Sequence, residues 1–339
     1  MLPNKKKSFS IVLLILCIIF SISLIFIFTT KKPLASIGKF FSLPFSSSYF
    51  LGTFLNAASN LLFASLGAFL ALVSGNLNLG GQGQIYLGGF LAALLLQHQQ
   101  IPAFFSLCLV FFATGCIGLI VGILKNNKGI NELLSSFLLS SASIPLIDYC
   151  ITTPFRDTQS NLIATKPIAE IFQFTSLFPP SHLNGSIFIA LALWFGIFLI
   201  LTKTSFGKIF KLCGTAPEFS CYMGYSVKKN DMLGLILSSG FHGLCGYFAI
   251  RGTYHVCFTN FYGEIGWNGL SVALLANGNP LILLIANFVL SYFFAACEFL
   301  TITNTLQFDL SFILQGFIFL LISAKSFSFN FKYKKGIPS

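Results

Sequence analysis

Side chains that could recognise a polar solute concentrate in one short stretch, Asn76-Leu-Asn78-Leu-Gly80-Gly-Gln82-Gly-Gln84. Its amides can donate and accept hydrogen bonds together, which suits a neutral polar solute such as a nucleobase, a ribose or a flavin ring better than a bare ion. We therefore expect Asn78, Gln82 and Gln84 to lie near a solute. The alternative is that these amides only cap the exposed backbone of a broken helix.

The segments on both sides of this stretch are apolar and typical of helices buried in lipid. Hydrocarbon cannot solvate amides or a broken backbone, so such a patch persists only inside protein or along a water-filled cavity. Glycine lets the chain unwind there and lets a solute or another helix come close. The pattern predicts a helix break that faces a transport pathway.

A second polar stripe precedes the break. Asn56 and Asn60 are four residues apart, so they share one face of a helix. They either line the pathway or form the hydrogen bonds between helices that membrane bundles routinely use.

Acidic residues are few in the apolar segments. Glu132 opens one segment, where the helix dipole alone favours an acid, so we favour a role at the helix start or in contact with a partner over solute binding. Glu298 and Asp309 lie in or beside later segments, where a carboxylate usually faces a cavity or a partner. Their positions near helix ends weaken that interpretation, because both could reach an interface.

Metal and cofactor chemistry is not indicated. The nine Cys and four His form neither a CxxC pair nor a zinc-binding spacing. The chain contains no Walker A pattern and no catalytic cluster. We therefore expect no metal, no cofactor and no catalytic residue in this chain.

Composition places these residues in a membrane. The 339 residues are 55% hydrophobic and only 9% charged, whereas soluble domains carry about 25% charged residues. The sequence predicts an all-α polytopic membrane protein with about eight to ten transmembrane helices, some short or re-entrant. The apolar segments, of which the third and eighth are short, are 9–29, 49–74, 83–97, 101–124, 131–151, 185–202, 232–252, 263–277, 280–300 and 306–324.

The net charge of +11 reflects orientation rather than nucleic-acid binding, because the basic residues fall in the connections between apolar segments. Fourteen of the 20 Lys and Arg lie on the side of the N-terminus and six on the other. Both termini are therefore expected in the cytoplasm. We divide the chain into an N-terminal helix with its outer loop (1–48), a transmembrane domain (49–325) with a cytoplasmic loop at 203–231, and a basic cytoplasmic tail (326–339).

Five motifs resemble one family, the membrane permeases of bacterial ABC importers for nucleosides, simple sugars and related solutes. The similarity is closest to the branch that works with nucleoside-binding lipoproteins. The matches follow the family's order from about residue 50 to residue 320. They are Asn78-Leu-Gly80-Gly-Gln82-Gly83-Gln84, Asn131-Glu132-Leu-Leu-Ser-Ser136-Phe-Leu-Leu-Ser140, Gly214-Thr-Ala-Pro217-Glu-Phe-Ser-Cys-Tyr222-Met-Gly224, Ser238-Ser-Gly-Phe-His-Gly243-Leu-Cys-Gly246, and Tyr262-Gly263 with Val272-Ala-Leu-Leu275 and Asn279-Pro280.

The resemblance implies a mechanism. Two permease subunits, copies or paralogues, form one pathway, a periplasmic or lipid-anchored binding protein delivers the solute, and a cytoplasmic ATPase grips a short coupling helix within 207–225. By this resemblance, Ser140 is also expected to line the pathway. The residues it implies for coupling are Gly214, Pro217, Glu218, Tyr222 and Gly224.

The solute implied is most simply a nucleoside, with riboflavin or a simple sugar as alternatives. Gln82 stands where the family has Glu, Ser140 where it has Asn, and Ala216 where it has Asn. The first two departures touch the expected pathway. An ion-coupled secondary transporter is the rival class, since it would use Glu298 and Asp309 without a partner.

The charge distribution predicts that Lys228 and Lys229 lie inside and Arg156 outside. Single cysteines at these positions should report this when intact cells are treated with a membrane-impermeant thiol reagent. Residue 156 should be labelled and residues 228 and 229 protected. Labelling at 228 with protection at 156 would invert the topology.

Overall fold

A computed structural model describes residues 26–27, 33–98, 101–303, 310–313, 315–317 and 319–320. Helices dominate the described chain. In chain order they are α1 (Pro33–Ser42), α2 (Ser48–Val73), α3 (Gly81–Ala93), α4 (Ala103–Lys128), α5 (Glu132–Thr152), α6 (Ser186–Lys203), α7 (Ser205–Thr215), α8 (Pro217–Tyr222), α9 (Val227–Ala249), α10 (Ile265–Ala276) and α11 (Pro280–Ile302). Wider π-helical turns extend α3 over Leu94–His98 and α9 over Ile250–Tyr254.

Six of these helices are long and apolar enough to cross a membrane, namely α2, α4, α5, α6, α9 with its π turn, and α11. Helices α2 and α9 are mostly buried, whereas α4, α5 and α6 leave most of their surface exposed. Since the exposed residues of these three helices include many large apolar side chains, they suit contact with lipid or another subunit. The prediction of an all-helical polytopic membrane protein is confirmed.

The larger of two compact units spans Leu55–Phe288. Helix α9 packs along α4 and α3 within it. A Cβ on Gly88 would overlap the carbonyl oxygen of Gly243, and one on Gly118 would overlap the carbonyl of Leu235. Small residues at these crossings let the helix backbones approach closely, which is how membrane helices gain packing energy without a hydrophobic drive between them.

The smaller unit contains residues 1–54 and 289–339. Aromatic side chains hold its described part together. Phe40 stacks on Phe293 with 6.0 Å between ring centroids, and the Tyr292 hydroxyl donates to the carbonyl of Phe41 over 2.8 Å. The division of the chain at residues 48/49 and 325/326 stays a prediction.

The predicted apolar segments correspond to helices wherever the structure describes them. The short segment at 263–277 is the 12-residue α10, which is too short to span a membrane. Segment 9–29 lies almost wholly outside the described residues, and 306–324 largely so. The connection at 203–231, expected as a loop, is mostly helical because α7, α8 and the start of α9 occupy it.

Candidate functional site

The break between α2 and α3 is organised by the side chain of Asn78. Helix α2 ends at Val73, and Gly75 turns the chain with φ of 87°, a conformation that favours glycine. The Asn78 Oδ1 then accepts from the backbone N–H of Gly80 over 2.9 Å. Its Nδ2 donates to Gln84 Oε1 over 2.9 Å and to Ser238 Oγ over 3.0 Å. One amide thus bonds the backbone just before the new helix and ties the break to α9.

Gln84 connects Asn78 to a histidine. The Gln84 Oε1 lies 2.9 Å from His242 Nδ1. Because an amide oxygen can only accept, Nδ1 donates, and the neutral ring then carries its lone pair on Nε2. That Nε2 is buried and has no hydrogen-bond partner. It faces the backbone of Gly81, where an added Cβ would lie 3.2 Å away.

Serines of α5 accept hydrogen bonds from two further backbone donors of the break. The backbone N–H of Leu79 donates to Ser136 Oγ over 3.1 Å, and that of Gly83 donates to Ser140 Oγ over 2.7 Å. The first N–H groups of a helix lack partners within the helix. These serine hydroxyls accept the hydrogen bonds that water would accept at a protein surface. Ser140 therefore lies at the break, and its place on the solute pathway stays a prediction.

Gln82 bridges to the segment that leads into α10. Its Nε2 donates to the carbonyl of Gly263 over 2.9 Å, and its Oε1 accepts from the N–H of Gly266 over 3.2 Å. Both ends of the amide are engaged. Among the described residues, Asn78 is the one of the three amides that bonds the backbone of the break itself. Gln82 bonds the backbone at Gly263 and Gly266, whereas Gln84 bonds side chains. The proximity of the three amides to a solute stays a prediction.

Asn56 and Asn60 lie nearer the other end of α2. Among the described residues, their hydrogen-bond partners lie outside the break and differ from each other. Asn56 donates to Thr253 Oγ1 over 3.0 Å and accepts from Asn184 Nδ2 over 3.2 Å, so it links three parts of the chain. Asn60 accepts from Cys245 through its backbone, while its Oδ1 is buried without a partner. Asn56 thus forms the hydrogen bonds between helices that were its alternative role.

An ionic cluster lies at the start of the break. Lys125 Nζ donates to Asn76 Oδ1 over 2.5 Å and lies 3.5 Å from Glu132 and 3.4 Å from Asp231. Glu132 also occupies the first turn of α5, which Asn131 caps. The favoured role of Glu132 at a helix start agrees with this geometry. Asp231 was not singled out from sequence, since nothing local links it to residues about a hundred positions earlier.

The segment expected to couple to an ATPase contains the six-residue helix α8. Pro217 lies in its first turn, where the missing N–H of proline is no loss, and Gly224 follows it with φ of 81°, a conformation that favours glycine at a helix end. Glu218 and Tyr222 are exposed. Just before it, a Cβ on Gly214 would overlap the carbonyl of Val73. The end of α7 therefore rests directly on the start of the break.

Asp148 of α5 was missed by sequence reasoning. Its carboxylate accepts a hydrogen bond from the hydroxyl of Tyr86, which is fully buried on α3. Burial first, and then the charge of Asp148, raise the pKa of Tyr262, which stacks at a tilt on Tyr86 with 4.9 Å between ring centroids. The available signal was a lone acid inside an apolar segment.

Two other sequence expectations concern Glu298 and Asp309. Glu298 lies in the last turns of α11 and takes part in an interaction, so it is not an unpaired acid. Asp309 lies outside the described residues.

The family model for the branched-chain amino acid transport system permease component matches residues 50–323. The chain belongs to this permease family. It is 35% identical over 312 residues to a probable riboflavin import permease protein of Treponema pallidum, covering 89% of this chain and 82% of the relative. It is 26% identical over 244 residues to a guanosine ABC transporter permease protein of Bacillus subtilis, covering 68% of each chain. No solved structure matches the chain.

Membership of this permease family establishes the general function of the chain. The chain is the permease subunit of an ABC importer, a multi-pass protein of the bacterial inner membrane, and not itself an enzyme. A partner ATPase hydrolyses ATP, and a solute-binding protein is a further partner implied by the family. The family therefore supports the ATP-driven class over the ion-coupled rival.

The geometry of the break predicts that replacing Asn78 by Leu destabilises the permease. Three partners, Gly80, Gln84 and Ser238, would lose a bond inside the bundle, and each buried group left unsatisfied costs about 1–3 kcal/mol. The midpoint of thermal unfolding of the purified permease should fall. Asn161→Leu is the matched control, because Asn161 is exposed. Equal midpoints for the Asn78 variant and wild type would show that the hydrogen bonds of Asn78 do not stabilise the break.

Proposed function

We propose that this permease forms the membrane pathway of an importer for riboflavin. The observation that supports riboflavin is the 35% identity over 312 residues to the probable riboflavin import permease protein of Treponema pallidum.

A nucleoside, the solute favoured from sequence, is the second candidate. The guanosine permease of Bacillus subtilis and a nucleoside permease of Lactococcus lactis are each 26% identical to this chain. A nucleoside and a flavin share a nitrogen heterocycle and a polyhydroxylated side chain. The replacement of Glu by Gln82 and of Asn by Ser140 at the break favours a solute other than the one this branch of the family usually takes.

We further propose that α8 is the coupling helix that an ATPase grips. The helix is short, with Pro217 at one end and Gly224 at the other. Phe219, Tyr222 and Met223 are exposed, Tyr222 by 91%. Large apolar and aromatic side chains at the centre of a contact supply much of the energy of protein association. A cleft in the ATPase that accepts these three side chains would hold α8 firmly.

The route from α8 to the pathway is short. Ser220 is buried and donates to the carbonyl of Ala216, the residue that joins α7 directly to α8. Gly214 then rests on the backbone at Val73 and Gly75. A displacement of α8 by its partner would reach the break through this backbone contact, without any intervening flexible side chain.

The assembly proposed around this chain contains a second permease subunit, a copy or a paralogue, with an ATPase on the side of α8. A binding protein docks on the opposite side, where residues 153–185 lie against the end of α9. The orientation follows the Lys and Arg distribution. The exposed apolar surfaces of α4, α5 and α6 supply the area for lipid and for the second subunit.

Uptake by the purified importer in vesicles tests the proposal. With the ATPase and the loaded binding protein present, riboflavin should accumulate when ATP is supplied and should not when only an ion gradient is supplied. Accumulation of guanosine but not riboflavin would select the second candidate. Accumulation of either solute on an ion gradient alone would contradict the ATP-driven mechanism.

The same vesicles test α8. Tyr222→Ala should slow ATP-driven uptake by about tenfold or more, because a central aromatic anchor is worth about 2 kcal/mol or more. The isolated permease should unfold at the wild-type temperature, since Tyr222 is 91% exposed. Phe188→Ala is the control, an exposed aromatic on α6. Wild-type uptake by the Tyr222 variant would remove α8 from the coupling surface.

A further inference from the structure

We propose that Asp148, flanked by Tyr86 and Tyr262, is a solute-recognition subsite inside the membrane, one that takes neutral heteroaromatic solutes carrying N–H or O–H donors. The inference rests on the proposed transport function and assigns a specific place to the recognition of the solute. It concerns α3, α5 and the segment before α10, all in the unit Leu55–Phe288.

Asp148 faces the interior of the bundle rather than the lipid. Its carboxylate accepts from the hydroxyl of Tyr86, and Tyr86 has no exposed surface. On α3, helical structure continues for a further twelve residues beyond Tyr86, to His98. On α5, Asp148 lies about one turn before the helix ends at Thr152, so its contact with the buried Tyr86, rather than its place along α5, puts it inside the bundle. A carboxylate held within a membrane bundle is costly, and such residues usually face a substrate pathway or a charged partner.

The carboxylate retains capacity for a ligand. An ionised carboxylate has two oxygens and about four acceptor positions. Within the described part of the chain, Tyr86 is the side chain that donates to it, through one oxygen. No Lys or Arg is paired with Asp148 among the described residues. Asp148 is only partly buried, and no side chain of the described residues donates to its second oxygen, which leaves that oxygen for an incoming donor.

A polar stripe on α5 leads to the carboxylate. Ser141, Pro145 and Asp148 are spaced by four and three residues and share one helix face. Ser141 and Pro145 are exposed. Proline has no N–H, so the carbonyl of Ser141 loses its usual donor in the helix. Bare lipid cannot satisfy that carbonyl, a serine hydroxyl and a carboxylate, whereas a hydrated solute pathway can.

The aromatic neighbours define the class of ligand. Tyr262 is partly exposed and tilted by 46° against Tyr86, and Phe261 packs edge-on against Tyr86 at 5.7 Å. A ring that stacks on Tyr262 could place its N–H or O–H donors toward Asp148. Flavins and nucleosides both offer a planar ring with such donors. A phosphorylated analogue would meet like-charge repulsion from the carboxylate.

Uptake kinetics of the complete importer in vesicles, with the binding protein saturated by riboflavin or by guanosine, test this subsite. Asp148→Asn should slow uptake of the transported solute by about tenfold or more, the loss expected for a hydrogen bond to a charged group. ATP hydrolysis stimulated by the loaded binding protein should stay within about twofold of wild type. The control is Glu170→Gln, the same change at an exposed acid.

A stability measurement separates recognition from structure. Asp148→Asn keeps an oxygen that can accept from the Tyr86 hydroxyl, so the purified variant should unfold at the wild-type midpoint while its uptake falls. If the midpoint falls as well, or if Asp148→Asn fails to assemble with its partners, the Asp148 carboxylate is structural and the subsite is refuted. Wild-type uptake by Asp148→Asn also refutes it. Absence of ATP-driven uptake in the wild type would instead refute the transport proposal.

Discussion

A polypeptide that leaves its helical path inside a membrane must find hydrogen-bond partners within the protein, because lipid offers none. This constraint governs the stretch from Gly75 to Gln84. The N–H groups of Leu79 and Gly83 donate to Ser136 and Ser140 of α5, and the side-chain amide of Asn78 donates to Ser238 of α9. The break is therefore a junction at which three helices are fixed to one another.

The junction explains why small residues surround it. Helix α9 can bring its serines and His242 to the break only because α3 and α9 touch backbone to backbone, at Gly88 and Gly243. Gly214 makes the same kind of contact from α7 to the chain at Gly75. The stretch from Gly75 to Gln84 thus contacts the polar interior of the bundle, and its first residue also contacts α7, the helix that leads into α8. A permease that converts movement at α8 into movement around a solute needs such a connection.

Sequence reasoning predicted the features that depend on residues close together in the chain. The apolar segments, the break at Asn76–Gln84, and the proline and glycine that bound α8 follow from composition and from backbone preferences of single residues. The hydrogen bonds between residues far apart in the chain could not be predicted in the same way. Tyr86 and Asp148 are 62 residues apart, and Gln84 and His242 are 158 apart; their proximity depends on how α3 packs against α5 and α9. Asp148 was passed over because one acid in an apolar segment has no local pattern.

The claim that the amides form one cooperative junction is tested most directly by a double-mutant cycle on Asn78 and Gln84. The free energy of unfolding of the purified permease would be measured for Asn78→Ala, Gln84→Ala and the double variant, with Asn78 and Asn56 as the control pair near opposite ends of α2. The account predicts an interaction energy of about 0.5–3 kcal/mol for the first pair and additivity for the control. Additivity within about 0.5 kcal/mol for Asn78 and Gln84 would contradict it.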